Sequence, residues 1–142
     1  MHMRGIPGTM QNEPHYDDVK GEVGSYLRKR VDELAAEGFD RESLAIDPGI
    51  GFGKTPGHNL ALLAKLADLC VDGLPVLIGV SRKSLVGIIT GRPPAERLAG
   101  SVAFAALAVA LGARIVRAHD VAATVDAVKV AAALLPALQG DR

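Results

Sequence analysis

Residues able to do chemistry follow three short apolar runs of this chain. The first such segment is residues 47–54 (DPGIGFGK), the second is residues 81–84 (SRKS), and the third is residues 117–120 (RAHD). Each segment precedes a stretch with the pattern of a helix, so each occupies the carboxyl end of a predicted strand. Chemistry in α/β proteins is concentrated at that position. The sequence therefore predicts a single cleft to which all three segments contribute.

The first segment combines a carboxylate with a loop that has little side-chain bulk. Asp47 stands at a strand end, where a carboxylate can accept two parallel hydrogen bonds from a nitrogen heterocycle. The alternate glycines, Gly51 among them, let the backbone approach a flat ligand, and Phe52 can present its ring to that ligand. Two simpler roles stay open: Asp47 as a turn residue before proline, and the loop as a connector with a buried phenylalanine.

Two familiar nucleotide-binding motifs fail on spacing in this segment. A P-loop ending at residues 53–55 (GKT) needs its first glycine at position 48, which is Pro48. The dinucleotide-binding fingerprint needs glycines at positions 49, 51 and 54, and position 54 is Lys54. The glycines therefore do not indicate a nucleotide site.

The second segment brings two cations to the end of a buried run. Because side chains alternate along an extended chain, only one of Arg82 and Lys83 can face the site. We expect Lys83 to point into the site and Arg82 to point outward into ion pairs. Ser84 is either a ligand contact or the N-cap of the following helix.

The third segment has the composition of an anion site. Arg117 and His119 are two residues apart, share one face of an extended chain, and precede the last predicted helix. A cation, an imidazole and free backbone N–H groups at a helix N-terminus favour a multiply charged anion such as phosphate or pyrophosphate. His2 has no comparable companion and is predicted to be structural, while His15 and His58 are predicted to be surface residues.

Alternating strands and helices must position these segments. Residues 1–5 have the pattern of a strand end without its strand, and continuous apolar runs predict buried parallel strands covered by helices. An α/β protein of this length fits half of a (β/α)8 TIM barrel, since the whole barrel has about 250 residues; a small doubly wound sheet is the alternative. The predicted strands cover residues 44–46, 76–80 and 114–116; the predicted helices cover residues 17–38, residues 55–73 with Thr55 as N-cap, a stretch after Ser84 interrupted at residues 91–94, an alanine-rich segment ending near Gly112, and a segment from Asp120, its N-cap, to about Leu138.

Composition excludes several classes of function. The 142 residues include 16 acidic and 16 basic ones, for a formal net charge of +0, so nucleic acid is not expected as a partner. No apolar run approaches the roughly 20 residues of a membrane span, and the sequence after Met1 does not resemble a signal peptide, so we expect a cytoplasmic protein. Cys70, the only cysteine, excludes an internal disulfide and is predicted to be a core residue.

In combination, these segments resemble the dihydropteroate synthase family of pterin-binding enzymes. The resemblance implies that residues 1–142 form a partial pterin-binding domain, the C-terminal half of a TIM barrel whose N-terminal half is absent. Arg4 departs from the family, which usually has Gln at that position. The similar residues occur in five blocks in the family's order: residues 1–5 with 9–11, residues 47–54 with 58–59, residues 81–84 with Gly87, residues 96–98 with 100–101, and residues 117–120.

The resemblance implies a transferase of folate biosynthesis. Family members condense 6-hydroxymethyl-7,8-dihydropterin diphosphate with 4-aminobenzoate, giving 7,8-dihydropteroate and pyrophosphate, and they use Mg²⁺. No protein nucleophile is needed, so catalysis by Lys83, Arg117 and His119 would consist of positioning and charge stabilisation. The implied substrate contacts are Asp47 with the pterin ring, Gly51 and Phe52 along the pocket, Lys83 with the pterin carbonyl and ring nitrogen, Ser84 near the aminobenzoate carboxylate, and Arg117 with His119 at the diphosphate.

The absent half would hold the Mg²⁺ site, so no metal ligand is expected in this chain, and the chain alone is expected to lack synthase activity. Unpaired strand edges favour association, and we therefore expect a homodimer. Two alternatives stay open. One is a catalytically silent pterin-binding or assembly module. The other is a methyltetrahydrofolate-binding methyltransferase domain, which Ser84 and the pair Arg117 and His119 disfavour because that substrate carries no diphosphate.

Overall fold

The computed structural model describes residues 1–69 and 71–139. Cys70, predicted to be a core residue, lies outside the described residues. None of the helices described is both long and apolar enough to cross a membrane. The helices are α1 (Val19–Ala36), α2 (Pro56–Leu63), α3 (Ser84–Thr90), α4 (Leu98–Ala110) and α5 (Val121–Gln139), the strands are β1 (Leu77–Ile78) and β2 (Ile115–Val116), and short 3-10 helices cover Arg41–Ser43, Leu66–Leu69 and Pro94–Glu96.

The strands pair in parallel, as predicted, but they are shorter than predicted. Strand β1 lies beside β2, with Leu77 opposite Ile115. The predicted strand over residues 44–46 is reduced to a single parallel bridge between Ile46 and Val76, because Pro48 follows and cannot extend the ladder. Ile115 is 39% exposed, so the expectation that all strands are buried on both faces is wrong for β2.

The first helix matches its prediction closely. Asp18 caps α1 by accepting a hydrogen bond from the backbone N–H of Lys20. Residues spaced four apart form the buried face of the helix, because that spacing returns a side chain to the same side. These buried residues are Val19, Val23, Leu27 and Val31, and they join the hydrophobic core.

The second helix is shorter than the predicted segment over residues 55–73. Thr55 is its N-cap, as predicted, and forms a capping box with His58. The helix ends at Leu63, and the chain continues as the 3-10 helix Leu66–Leu69. Leu60 of α2 is 43% exposed, whereas Leu63, Leu66 and Leu69 are buried.

The predicted interruption before the fourth helix is confirmed. Helix α3 ends at Thr90, and Gly91 follows in the left-handed conformation. Helix α4 then packs against α5, and its residues Ala105 and Ala108 are buried. Ala105 lines a small cavity with Ile78 and Val116 of the two strands.

Candidate active site

The glycine-rich segment folds into a loop packed against the start of the chain. Gly49 has φ +70°, and a Cβ atom there would meet the carbonyl oxygen of His2 at 1.8 Å. At Gly53, with φ +63°, a Cβ atom would meet the carbonyl oxygen of Arg4 at 2.2 Å. Only glycine fits these two positions, since both the left-handed backbone and the close approach exclude a side chain.

Side chains from other parts of the chain hold the loop by its backbone. The N–H of Gly51 donates to Oδ1 of Asn59 (2.8 Å), and the hydroxyl of Tyr16 donates to the carbonyl of Gly53 (2.9 Å). Nε2 of Gln11 donates to the carbonyl of Gly51. Side chains from outside the loop therefore hold its backbone at Gly51 and Gly53.

Asp47 begins this loop and shapes it. Its Oδ1 accepts a hydrogen bond from the N–H of Gly49 at 2.7 Å, which is the turn role left open by the sequence. Its negative charge also acts on two lysines, raising the pKa of Lys54 and of Lys83 against the effect of burial. Asp47 therefore favours the charged form of both ammonium groups.

Lys83 connects the loop to the second segment. Its Nζ donates to the carbonyl of Ile50 and lies 4.5 Å from the ring centroid of Phe52, within cation–π range. The pKa of Lys83 is lowered to about 8, mainly by burial; the charge of Asp47 opposes this effect and that of Arg117 adds to it. Lys83 thus contacts the ring of Phe52 and is affected by the charge of Arg117.

The third segment lines a cleft together with the second segment. Lys83, Arg117 and His119 line a cleft of about 280 Å³ together with Gly79 and Ser81. The guanidinium of Arg117 lies over Gly79, 3.1 Å from where a Cβ atom would stand. The N–H of His119 donates to Oγ of Ser81 (3.2 Å), and Nδ1 of His119 lies 3.1 Å from the same oxygen.

An ion pair joins the second and third segments at their outer side. Arg82 points away from the cleft, as predicted, and donates from Nε (3.0 Å) and Nη2 (2.5 Å) to the carboxylate of Asp120. Asp120 directly precedes α5, and Arg82 holds the pKa of its carboxyl below the ordinary value. Ser84 is exposed as the first residue of α3; the N-cap of that helix is Lys83, so Ser84 is not the cap.

Three of the predicted site residues, Lys83, Arg117 and His119, thus line one cleft. Three others, Asp47, Gly51 and Phe52, lie in the loop beside it, and Ser84 is not among the residues that line the cleft. Sequence reasoning missed the side chains that hold them, namely Lys54, Asn59, Tyr16 and Ser81. His2 is buried, in agreement with the structural role predicted for it, and Nζ of Lys54 lies 2.9 Å from its Nδ1. His15 is exposed as predicted, but His58 is half-buried against Tyr16 and helps to cap α2.

Magnesium would require oxygen ligands, and carboxylates in particular. Among residues 1–69 and 71–139, no three His, Cys, Asp or Glu side chains cluster closely enough to hold a metal ion. The described residues therefore do not fit a protein-bound metal by themselves, and no chemical step is assigned to one.

The site combines a glycine-rich loop with a cleft lined by Lys83, Arg117 and His119 in an α/β fold, and these groups have the chemistry to contact a flat ring and an anion. The family model for pterin binding enzymes matches residues 1–119, and the chain belongs to this family. Among its relatives, the dihydropteroate synthase of Escherichia coli strain K12 is 46% identical over 142 residues, which are 100% of this chain and 50% of that protein.

Two solved structures extend this similarity to the fold. The dihydropteroate synthase of Yersinia pestis with a sulfonamide drug has a TM-score of 0.92 and 43% identity, covering 96% of this chain and 50% of the other. The enzyme of Xanthomonas albilineans in complex with 7,8-dihydropteroate has a TM-score of 0.82 and 52% identity, covering 85% of this chain and 47% of the other. The chain spans about half the length of the relatives it matches.

Proposed function

We propose that this chain provides the pterin- and diphosphate-binding part of a dihydropteroate synthase. The observation that carries the proposal is the cleft in which Lys83, Arg117 and His119 stand together beside the ring of Phe52. The reaction would condense 6-hydroxymethyl-7,8-dihydropterin diphosphate with 4-aminobenzoate, as the family membership of the chain supports. The fold would be the C-terminal half of a TIM barrel, formed by residues 1–142 as one partial domain.

The loop side of the cleft suits a flat heterocycle. Asp47 would accept hydrogen bonds from the pterin ring, and Lys83 would donate to the pterin carbonyl and ring nitrogen. Gly51 leaves room beside the stem of Lys83, since a Cβ atom at Gly51 would lie 3.3 Å from Cδ of the lysine. Phe52 would offer its ring to the face of the ligand.

The strand-end side suits the diphosphate. Arg117 and His119 are both exposed in the cleft and lie before the N-terminus of α5, where backbone N–H groups and the helix dipole favour an anion. Arg117 would contact the diphosphate and also stack near the ring. Ser84, exposed at the start of α3, would face the carboxylate of 4-aminobenzoate.

These contacts define what the chain would do in the reaction. The amine of 4-aminobenzoate would displace the diphosphate at the pterin methylene carbon, and Arg117 and His119 would stabilise the negative charge that gathers on the leaving group. Lys83 and Asp47 would hold the methylene in line for attack. Family members use Mg²⁺; the described residues do not form a site for it, so its ligands would come from elsewhere.

A second candidate function is pterin binding without turnover, in a module that pairs with another chain. The observation that favours it is that each side chain of the cleft is a binding group. Association could produce a homodimer, because Ile115 on the edge strand β2 is 39% exposed.

Calorimetry and a pyrophosphate-release assay on the purified 142-residue chain test the proposal. Binding of the pterin diphosphate is expected, with turnover in the presence of 4-aminobenzoate only where the rest of the site is supplied. Binding without turnover under all conditions would favour the second candidate. Binding of methyltetrahydrofolate but not of the pterin diphosphate would contradict both and indicate the methyltransferase alternative.

A further inference from the structure

We propose that Lys54 is a positioning residue of the pterin site, held by His2 and holding the glycine-rich loop in the shape that a ring ligand requires. The inference rests on the proposed function, because it assigns a role in binding the same ligand. Lys54 is only 3% exposed, so it acts through the loop and does not contact a ligand in the cleft.

All three N–H bonds of the Lys54 ammonium have an acceptor. Nζ lies 2.9 Å from Nδ1 of His2, 3.0 Å from the carbonyl oxygen of Gly49 and 3.1 Å from that of Phe52. The N–H of Phe52 also donates to the carbonyl of Gly49 at 3.1 Å. Lys54 therefore closes the turn over residues 49–52, which ends on the ring of Phe52.

His2 gives this arrangement its anchor. An ammonium can only donate, so Nδ1 of His2 must accept, and the imidazole must be neutral with its proton on Nε2. The backbone N–H of His2 donates to the carbonyl of Asp47 at 2.9 Å, and Tyr26 packs edge-on against the ring with centroids 4.9 Å apart. His2 therefore fixes both the first residue of the loop, Asp47, and its last, Lys54.

The charges around the pair agree with this protonation state. Burial and the charge of Lys54 lower the pKa of His2 to about 4, with Arg4 and the N-terminus adding to the effect. Burial lowers the pKa of Lys54 to about 8, with Lys83 and Arg4 adding to the effect and Asp47 opposing it. At neutral pH the pair is a lysine ammonium and a neutral imidazole.

The two ligands of the site distinguish a positioning role of Lys54 from a merely structural one. Lys54 shapes the loop beside Phe52, whereas Arg117 and His119 are held by the backbone of Ile78 and by Ser81. Loss of the Lys54 contacts should therefore weaken binding of a ring and spare binding of an anion. A general loss of stability would weaken both.

The first experiment measures the affinity of Lys54→Met for 6-hydroxymethylpterin and for inorganic pyrophosphate by calorimetry. The matched control is Lys65→Met, because Lys65 is exposed. We expect Lys54→Met to bind pterin about tenfold more weakly and pyrophosphate within about twofold of the unchanged protein. Equal losses for the two ligands, or unchanged pterin affinity in a folded variant, would overturn the assignment.

A second pair of variants keeps the lysine and changes its anchor. The Oδ1 atom of asparagine can accept where Nδ1 of histidine does, so His2→Asn should keep pterin affinity within about threefold, whereas His2→Leu should lose about tenfold. Equal affinities of the two variants would contradict the role of Nδ1. If Lys54→Met does not fold, these two variants of His2 still test whether the contact between His2 and Lys54 supports pterin binding.

Nuclear magnetic resonance gives a test without any ligand. The ¹⁵N signals of His2 at pH 7 should show a proton on Nε2 and none on Nδ1, and Lys54→Met should move the amide signals of residues 49–53 but not those of residues 117–119. A His2 proton on Nδ1, or unmoved loop signals, would refute the inference. If the unchanged chain binds no pterin, the proposed function fails, and these spectra still decide whether Lys54 sets the loop shape.

Discussion

The candidate site has two sides that are built on opposite principles: the loop over residues 47–54, called the loop wall, and the end of β2, called the strand-end wall. In the loop wall, Lys54 is buried, and two of its hydrogen bonds end on the backbone carbonyls of Gly49 and Phe52. At the end of β2, Arg117 and His119 are exposed, and the backbone is fixed by strand pairing, through the N–H of Arg117 and the carbonyl of Ile78.

The two walls differ in what fixes their backbone, so we expect them to respond differently to amino-acid substitutions. A loop rich in glycine has few side chains of its own, so distant residues such as Tyr16 and Asn59 add hydrogen bonds to its backbone. A strand end inherits its shape from the ladder, so its side chains are free to meet a ligand. We therefore expect that adding a single methyl group destabilises the loop wall, and that removing a charge from the strand-end wall weakens ligand binding.

The largest effect is expected for an added methyl group in the loop wall. In Gly49→Ala the new Cβ atom would meet the carbonyl of His2 at 1.8 Å, which forces the loop and the start of the chain apart. We expect a loss of about 3 kcal/mol or more in the free energy of unfolding, measured by urea denaturation.

The matched control is Gly91→Ala. Gly91 has φ +71°, almost the same as the +70° of Gly49, but nothing lies within 4 Å of its added Cβ atom. It should lose only about 1 kcal/mol, the cost of a left-handed alanine. Equal losses for the two variants would mean that the loop does not pack against His2 as described.

The same contrast between the walls explains what the sequence could predict. Strand ends are marked by local patterns, so the positions of Lys83, Arg117 and His119 followed from apolar runs and from alternation along the chain. The outward direction of Arg82 is confirmed by its ion pair with Asp120, but its backbone has φ +58° and is not the extended chain from which that direction was predicted. The α/β class and α1 were predictable for the same reason.

The contacts that hold the loop were not predictable, because they join residues far apart in the chain. Lys54 and His2 are separated by 52 positions, and Tyr16 and Gly53 by 37. No local pattern marks a lysine that will be buried, and charged residues are ordinarily predicted to be exposed. The strand lengths were predicted wrongly for a related reason, since the length of a strand depends on a pairing partner that lies elsewhere in the sequence.

A second prediction concerns the buried imidazole of the loop wall. The pKa of His2 is about 4 in the folded chain and about 6.5 ordinarily, so between these values the unfolded chain binds the extra proton. The free energy of unfolding should therefore fall as the pH decreases from about 6.5 to about 4, by up to about 3 kcal/mol from this group alone.

Urea denaturation from pH 7 to pH 4 measures this effect as a difference between variants. His2→Asn should remove much of the pH dependence because its side chain does not titrate, while His15→Asn, at an exposed position, should leave it unchanged. Identical pH profiles for the unchanged chain and His2→Asn would show that His2 is not buried beside Lys54.

A third prediction tests the charge of the strand-end wall. Arg117→Ala should weaken binding of the pterin diphosphate by about 1.5–3 kcal/mol, since it removes a charge-assisted contact. Binding of free pterin should change much less. Asp47→Ala, in the loop wall, should weaken both ligands because both carry the ring. Calorimetry showing equal losses of the two ligands for Arg117→Ala would move that residue to the ring.

The smallest effect is expected at the ion pair between Arg82 and Asp120, which borders the strand-end wall. The side chains are 42% and 21% exposed, so water and salt screen the pair, and a double-mutant cycle with alanine should give a coupling of about 1 kcal/mol that decreases in 1 M NaCl.

Arg82 also has φ +58°, a conformation that costs a residue with a side chain about 1–2 kcal/mol. Arg82→Gly should therefore be less destabilising than Arg82→Ala, because glycine loses the ion pair but is relieved of the strain. If Arg82→Gly proved the more destabilising of the two, the backbone at Arg82 would not be strained, and the ion pair would not be needed to hold it.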